Sequence, residues 1–250
     1  YAWDEESGYF GYAVQGQDGV HILRTEAGEN YNKGVDGVTP LIAGICSKEQ
    51  EKQLLKHLKS PEELWSPVGI STVDMSASYY YDNGYWNGSV WCPYQYFLWK
   101  AMLDIGEGQF AFDIAHRGLN SWKQEIEFSY NTFEMIQIET ERGGWFHQFS
   151  GLSTPISIWY NAYYKRGTLT TGYDTWIEKK EISEDVDHAE IVYSTTGTHT
   201  GVLLIVMNSL YHYDVEIDDK KAEFIEREKG VIEITLNRKE GVIIIYRDEK

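Results

Sequence analysis

The chain has 250 residues, 42% of them apolar and 15% aromatic, enough to bury one large core or two smaller ones. Its formal net charge of −17 argues against nucleic acid and an anionic membrane surface as partners, because both would repel it. Cys46 and Cys92 are too few for a disulfide framework and read as a pair of buried thiols. No Cys/His spacing matches a zinc site, no metal or cofactor is implied, and no apolar run reaches the length of about eighteen residues that a membrane span needs. The composition is that of a soluble protein and leaves cytoplasmic, periplasmic and secreted locations open.

Taken in chain order, helical spacing of apolar residues predicts helices over 48–58, 91–104, 109–124 and 155–164, joined by long connections rich in aromatics and glycine. From about Glu190 the period shortens. Strands are predicted over 190–194, 201–207, 213–217, 221–228, 231–236 and 242–246, separated by the turn signals Thr196-Gly197, Asp218-Asp219, Lys229-Gly230 and Glu240-Gly241. Alternation in Val231-Ile232-Glu233-Ile234-Thr235-Leu236 suggests a sheet with one wet face. The expected organisation is a helical part over 1–167, a linker over 168–187 and a β-rich domain over 188–250.

One stretch concentrates chemistry. Asp82-Asn83-Gly84-Tyr85-Trp86-Asn87-Gly88-Ser89-Val90-Trp91-Cys92-Pro93-Tyr94 interleaves rings, amides and glycines just before a predicted helix. Indole and phenol rings cover the apolar face of a pyranose, amides and carboxylates satisfy its hydroxyls, and glycine lets backbone approach the ligand. The competing reading is that the rings are core.

Tyr85-Trp86-Asn87-Gly88-Ser89-Val90-Trp91 resembles the Tyr-Trp-Arg-Gly-Pro-Val-Trp signature of α,α-toroid glycosidases related to mannosylglycerate hydrolase and processing α-glucosidase I. Three neighbours resemble the family in the same order. They are 38–45 with 64–71, then Asn131-Thr132-Phe133-Glu134, then His147-Gln148-Phe149-Ser150-Gly151-Leu152. Two positions depart from the signature, Asn87 for Arg and Ser89 for Pro. The resemblance covers about 1–165 and implies a mostly α chain: part of an (α/α) toroid barrel followed by a small antiparallel β-sandwich or sheet domain.

The same resemblance implies roles. Glu134 matches the segment that carries the catalytic base, and an inverting glycosidase needs such a carboxylate to deprotonate water. Trp86 and Trp91 become ring-stacking walls, Tyr85 and Tyr94 polar-tipped contacts, Asp82 and Asn87 substrate contacts, and Trp145 with His147 a second rim. The family's acid lies in a loop of the barrel's first half, expected upstream of Tyr1, since Trp3-Asp4-Glu5-Glu6-Ser7-Gly8-Tyr9-Phe10 resembles a later turn. Asp4, Asp36, Asp82 and Glu139 are internal candidates that read more readily as turn or cap residues than as the acid. The implied partners are a carbohydrate substrate and the rest of the barrel, supplied by a missing N-terminal half or another chain. A glycosidase, a carbohydrate-binding or degenerate toroid domain and a purely structural domain are the three readings the residues leave.

Overall fold

The computed structural model describes residues 2–82 and 84–248, so Asn83 of the aromatic stretch lies outside the described residues. Two compact units divide the chain: Tyr1–Phe97 with His116–Pro155, and Leu98–Ala115 with Ile156–Lys250.

The first unit opens with two hairpins, β1 (Trp3–Asp4) with β2 (Tyr9–Phe10) and β3 (Ala13–Gly16) with β4 (Gly19–Ile22). Helix α1 (Val35–Ile42) follows and tolerates Pro40 near its end. Helix α2 (Lys48–Lys59) begins where Ser47 and Gln50 cap each other: the Gln50 amide N–H donates to Ser47 Oγ at 3.3 Å and the Ser47 N–H to Gln50 Oε1 at 2.9 Å. Acidic Glu49 and Glu51 sit in its first turn and basic Lys56 and Lys59 in its last, the polarity its dipole favours. It buries Leu54, His57 and Leu58, one face at helical spacing.

A third hairpin, β5 (Trp65–Ser66) with β6 (Gly69–Ile70), is extended by Gln95, whose amide exchanges hydrogen bonds with the Ile70 N–H and C=O at 2.7 and 2.8 Å as a strand would. Strand β7 (Ser89–Val90) leads into α3 (Cys92–Asp104), then α4 (Gly108–Ser129), β8 (Phe133–Gln137) and β9 (Gly143–His147). The three strands form one sheet in the order β7-β8-β9. Helix α5 (Thr154–Tyr164) comes next, and α3, α4 and α5 each have residues in both units.

The second unit carries two antiparallel sheets, built from β10 (Leu169–Thr171), β11 (Thr175–Ile182), β12 (His188–Thr195), β13 (Gly201–Val206), β14 (Tyr213–Ile217), β15 (Lys220–Lys221), β16 (Ile225–Glu226), β17 (Val231–Leu236) and β18 (Glu240–Arg247). One sheet runs β10-β13-β17-β16 and the other β11-β12-β18-β14-β15. Alternate residues of both, including Ile191, Tyr193, Leu203, Ile205, Val215, Ile232, Ile234, Ile243 and Ile245, meet in one apolar core, as in a sandwich. The segment expected to be a linker, 168–187, carries β10 and β11.

Two expectations are corrected. The chain is not mostly α, and no toroid is evident: among the described residues five α-helices stand beside eighteen strands in six sheets. Helical periodicity located four of the helices, but the connections between them fold into two- to five-residue strands too short to show a period. The wet face expected of β17 is reduced to Thr235. Glu233 is 4% exposed, its carboxylate held by Arg227 through Nε at 2.5 Å and Nη2 at 2.6 Å, so burial comes with full pairing.

Among the described residues no helix is long and apolar enough to cross a membrane. Cys46 and Cys92 are unpaired and partly buried, and burial pushes their thiols up to about 11 and about 12.

Candidate active site

Glu134 sits on β8, the central strand of the β7-β8-β9 sheet. In the β8–β9 ladder Phe133 pairs with His147 and Met135 with Gly144, so Trp145 and Phe146 together oppose Glu134. This is a β-bulge, which bends the strand and re-aims side chains. Trp145 takes φ 62 to make it, a left-handed conformation that costs a bulky residue about 1–3 kcal/mol.

On the other side, β7 pairs Val90 with Ile136 and Ser89 with Gln137. That pairing brings the preceding turn against Glu134. Gly88 is required there: a Cβ would stand 1.8 Å from the Tyr81 carbonyl oxygen. Ser89, in the place of the signature's Pro, is buried and donates to Gly84 O at 2.8 Å, closing the turn in another way.

The turn presents Tyr85 to Glu134. The phenol donates a hydrogen bond to Glu134 Oε1, while Oε2 is buried with no hydrogen-bond partner. Glu134 itself is 8% exposed. The bond to the carboxylate, then burial, then the carboxylate's charge push the Tyr85 phenol up to about 12. Three indoles surround its ring edge-on, Trp86 at 5.4 Å, Trp91 at 4.8 Å and Trp145 at 4.9 Å between centroids.

Trp91 is buried and donates from Nε1 to the Tyr85 carbonyl at 2.9 Å. Trp86 stacks on it at 3.9 Å and 11°, half-exposed, with Tyr94 edge-on at 6.3 Å. Trp86 and Tyr94 then form one wall of an open cleft of about 240 Å³, whose other walls include Tyr12, Tyr31, Lys33, Asp36 and Tyr79. Tyr12 donates to Asp36 Oδ2 at 2.7 Å on its rim.

The remaining expected residues lie elsewhere. Asn87 turns its amide to the Tyr79 carbonyl at 3.2 Å and serves the turn. Asp82 is exposed and engages Tyr80, whose phenol burial, then the charge and bond of Asp82, push up to about 12. His147 is exposed on β9 with its ring tilted over Phe133 at 6.5 Å. Glu125 was not anticipated. From α4 it accepts from Arg142 Nε at 2.7 Å, Arg142 Nη2 at 2.9 Å and the Gly143 N–H at 2.9 Å, pinning the β8–β9 turn. Those bonds, Arg142 first and against the opposing effect of burial, hold its carboxyl down at about 2. Its partners are 17 and 18 residues away, which no local pattern signals.

Residues 1–134 match the mannosylglycerate hydrolase MGH1-like glycoside hydrolase domain. The chain belongs to that family. Among solved structures it is similar to the GH63 mannosylglycerate hydrolase of Thermus thermophilus in complex with glucose, at 21% identity and a TM-score of 0.50 over 64% of this chain and 36% of that one. An uncharacterised conserved protein of the same organism gives 20% identity and a TM-score of 0.50, covering 64% of this chain and 37% of its own. The hydrolase in complex with Tris and D-glycerate gives 21% and 0.50 over 64% and 35%. At these identities the likeness concerns the fold. This chain of the MGH1-like family spans little more than a third of the length of those structures. No curated protein matches it in sequence.

Proposed function

We propose that this chain carries the base side of an inverting glycosidase that hydrolyses an α-linked glycoside or oligosaccharide, with Glu134 as the general base. The observation that carries the reading is the pairing of Tyr85 with Glu134: one carboxylate oxygen is held by a phenol and the other is free of hydrogen bonds. Such a carboxylate is fixed in orientation and keeps one oxygen without a hydrogen bond; that oxygen is buried, so in this reading the site opens to water when the rest of the enzyme and the substrate are in place.

Trp86, half-exposed on the buried Trp91, offers a flat apolar face to a sugar ring, and Tyr94 with Asp36 in the same cleft offers polar partners for hydroxyls. Trp145 completes the collar around Tyr85. In this reading Asp82, Asn87 and His147 support the turns and the rim around the site and do not touch the reacting atoms. The general acid belongs to a segment outside residues 1–250 or to another chain, about 6.5–9.5 Å from Glu134 across the sugar, leaving room for the attacking water.

The test is the anomer first formed. NMR of a fresh digest of an α-linked disaccharide, made with the longest polypeptide containing this chain, shows the β anomer if water attacks opposite the leaving group. An α anomer formed first would overturn inversion, and sugar binding without hydrolysis would favour a carbohydrate-binding domain.

A further inference from the structure

We propose that His57, Glu63 and Asp74 form a binding site for a divalent transition cation, zinc by its donor set, which ties the end of α2 to the two segments that follow it. The inference is independent of the glycosidase reading.

Each of the three residues offers one ligand atom, and the three atoms lie within 4.8 Å of one another. Metal bonds of about 2.0–2.2 Å place any two ligands of one tetrahedral zinc about 3.4 Å apart. His57 Nδ1 stands 3.0 Å from Glu63 Oε1, close to that spacing. Yet neither ring nitrogen of His57 makes a hydrogen bond. The carboxylate oxygen is thus near Nδ1 but off the direction in which an N–H would point. Two ligands of a shared ion stand in this relation; an imidazole paired with a carboxylate does not.

Burial sharpens the point. His57 is 8% exposed, and leaving both of its nitrogens unsatisfied there forfeits hydration without compensation. The ring is held in place, stacked on Tyr9 at 4.2 Å and 19°. Asp74 is fully buried and oriented by three donors: the Tyr9 hydroxyl reaches Oδ2 at 2.9 Å, and the Ser76 N–H and hydroxyl reach Oδ1 at 2.8 and 2.7 Å. Hydrogen bonds of this kind fix ligating carboxylates in metal sites.

Charge agrees. Glu63 and Asp74 bring two negative charges to the cluster. The nearest ammonium, Lys33 Nζ, is 3.8 Å from Asp74 Oδ2 and closer, at 3.1 Å, to Glu29 Oε1. A divalent cation neutralises what that shared lysine leaves. One imidazole and two carboxylates, with a fourth position open, suit zinc. Because the three residues come from the last turn of α2, the turn after it and the segment after β6, the ion would restrain 57–74 as one piece.

The experiment takes the full chain, stripped with EDTA and dialysed, and adds zinc, then cobalt in its place. The expected result is one zinc bound per chain, a melting temperature raised by about 5–10 °C at a hundredfold excess over Kd, and the visible absorption of a low-symmetry cobalt site. His57→Gln and the milder Glu63→Gln, at a partly exposed position, should abolish uptake and absorption. The proposal is overturned if the melting temperature of the unaltered chain does not move with zinc, or if both variants bind as much zinc as it does.

Discussion

The Tyr85 hydroxyl donates to one oxygen of Glu134 across 49 residues of sequence, and the other oxygen of that carboxylate has no hydrogen-bond partner. A carboxylate held on one side rotates little, so its free oxygen keeps one direction. Removing the phenol should therefore cost rate before it costs affinity. In Tyr85→Phe the ring survives among Trp86, Trp91 and Trp145 but the donor is lost. Turnover is expected to fall about 10- to 100-fold with KM nearly unchanged, checked by steady-state kinetics on an α-linked substrate.

The same bond is visible in the phenol itself. Glu134 and burial push Tyr85 up from about 10 to about 12. A group whose folded pKa is raised contributes stability below its unfolded pKa and loses it as pH climbs through the folded one, here between about 10 and about 12. NMR of chain labelled at tyrosine Cζ should show, among several resonances that titrate late, one that is missing in Tyr85→Phe. In Glu134→Gln it should move down towards the ordinary tyrosine position, with the part due to burial kept.

Trp86 exposes one face and packs the other on Trp91, so truncating it removes a binding surface and little core. Trp86→Ala should weaken sugar binding about 2- to 10-fold, the equivalent of about 0.5–1.5 kcal/mol for a lost aromatic contact, with the melting temperature nearly unmoved. Calorimetric titration and a thermal melt read the two effects separately.

Glu125 holds the β8–β9 turn through Arg142 and the Gly143 N–H, and its carboxyl is lowered from about 4.5 to about 2. A lowered carboxyl gives stability above its unfolded pKa and loses it as pH falls through the folded value, so the loss runs from about 4.5 down to about 2. Glu125→Gln should be less stable at neutral pH by about 1.5–3 kcal/mol, and its deficit should shrink across that window. Denaturant melts of both proteins at several pH values measure the difference.

Gly88→Ala tests the turn. Its Cβ would meet the Tyr81 carbonyl oxygen at 1.8 Å, so backbone must move. The expected cost is about 1–3 kcal/mol, with loss of the Trp86–Trp91 stack and of sugar binding, seen in the melt and in near-ultraviolet circular dichroism.

Helix α2 was legible to within a residue of its end because its apolar face keeps helical spacing, and the capping box at Ser47 and Gln50 opens it where that spacing begins. Strands β14 and β17 were legible to the residue, since a turn signal ends the first at Asp218-Asp219 and opens the second at Lys229-Gly230 and both are short runs rich in β-branched residues. The strands of the first unit were not, because two to five residues are too few to show a period and the pairing of β7 with β8 is settled by contacts far apart in sequence. Pro40 inside α1 hid a helix that tolerates it at its last turn. Glu233 looked like the wet side of a strand because nothing in 231–236 announces Arg227 as its partner.

The site divides in the same way. The run from Tyr85 to Trp91 and Glu134 stood out by residue type and by family resemblance. Their juxtaposition depends on the β7–β8 register; Asp36 on α1, singled out in the sequence only as a candidate acid or turn residue, and Tyr12 between β2 and β3, which no motif marks, reach the cleft beside Trp86 and Tyr94. Asn87 and Asp82 were placed at the ligand by their neighbours in sequence, but each has a closer partner in its own turn.

The most direct test is hydrolysis of a panel of α-linked disaccharides and glycosides by the longest polypeptide containing this chain, with and without Glu134→Gln, alongside calorimetric binding. A general base predicts turnover lowered by about 10²- to 10⁴-fold in the variant with sugar binding kept. Turnover unaffected by the substitution would contradict the account, and so would binding without turnover in both proteins.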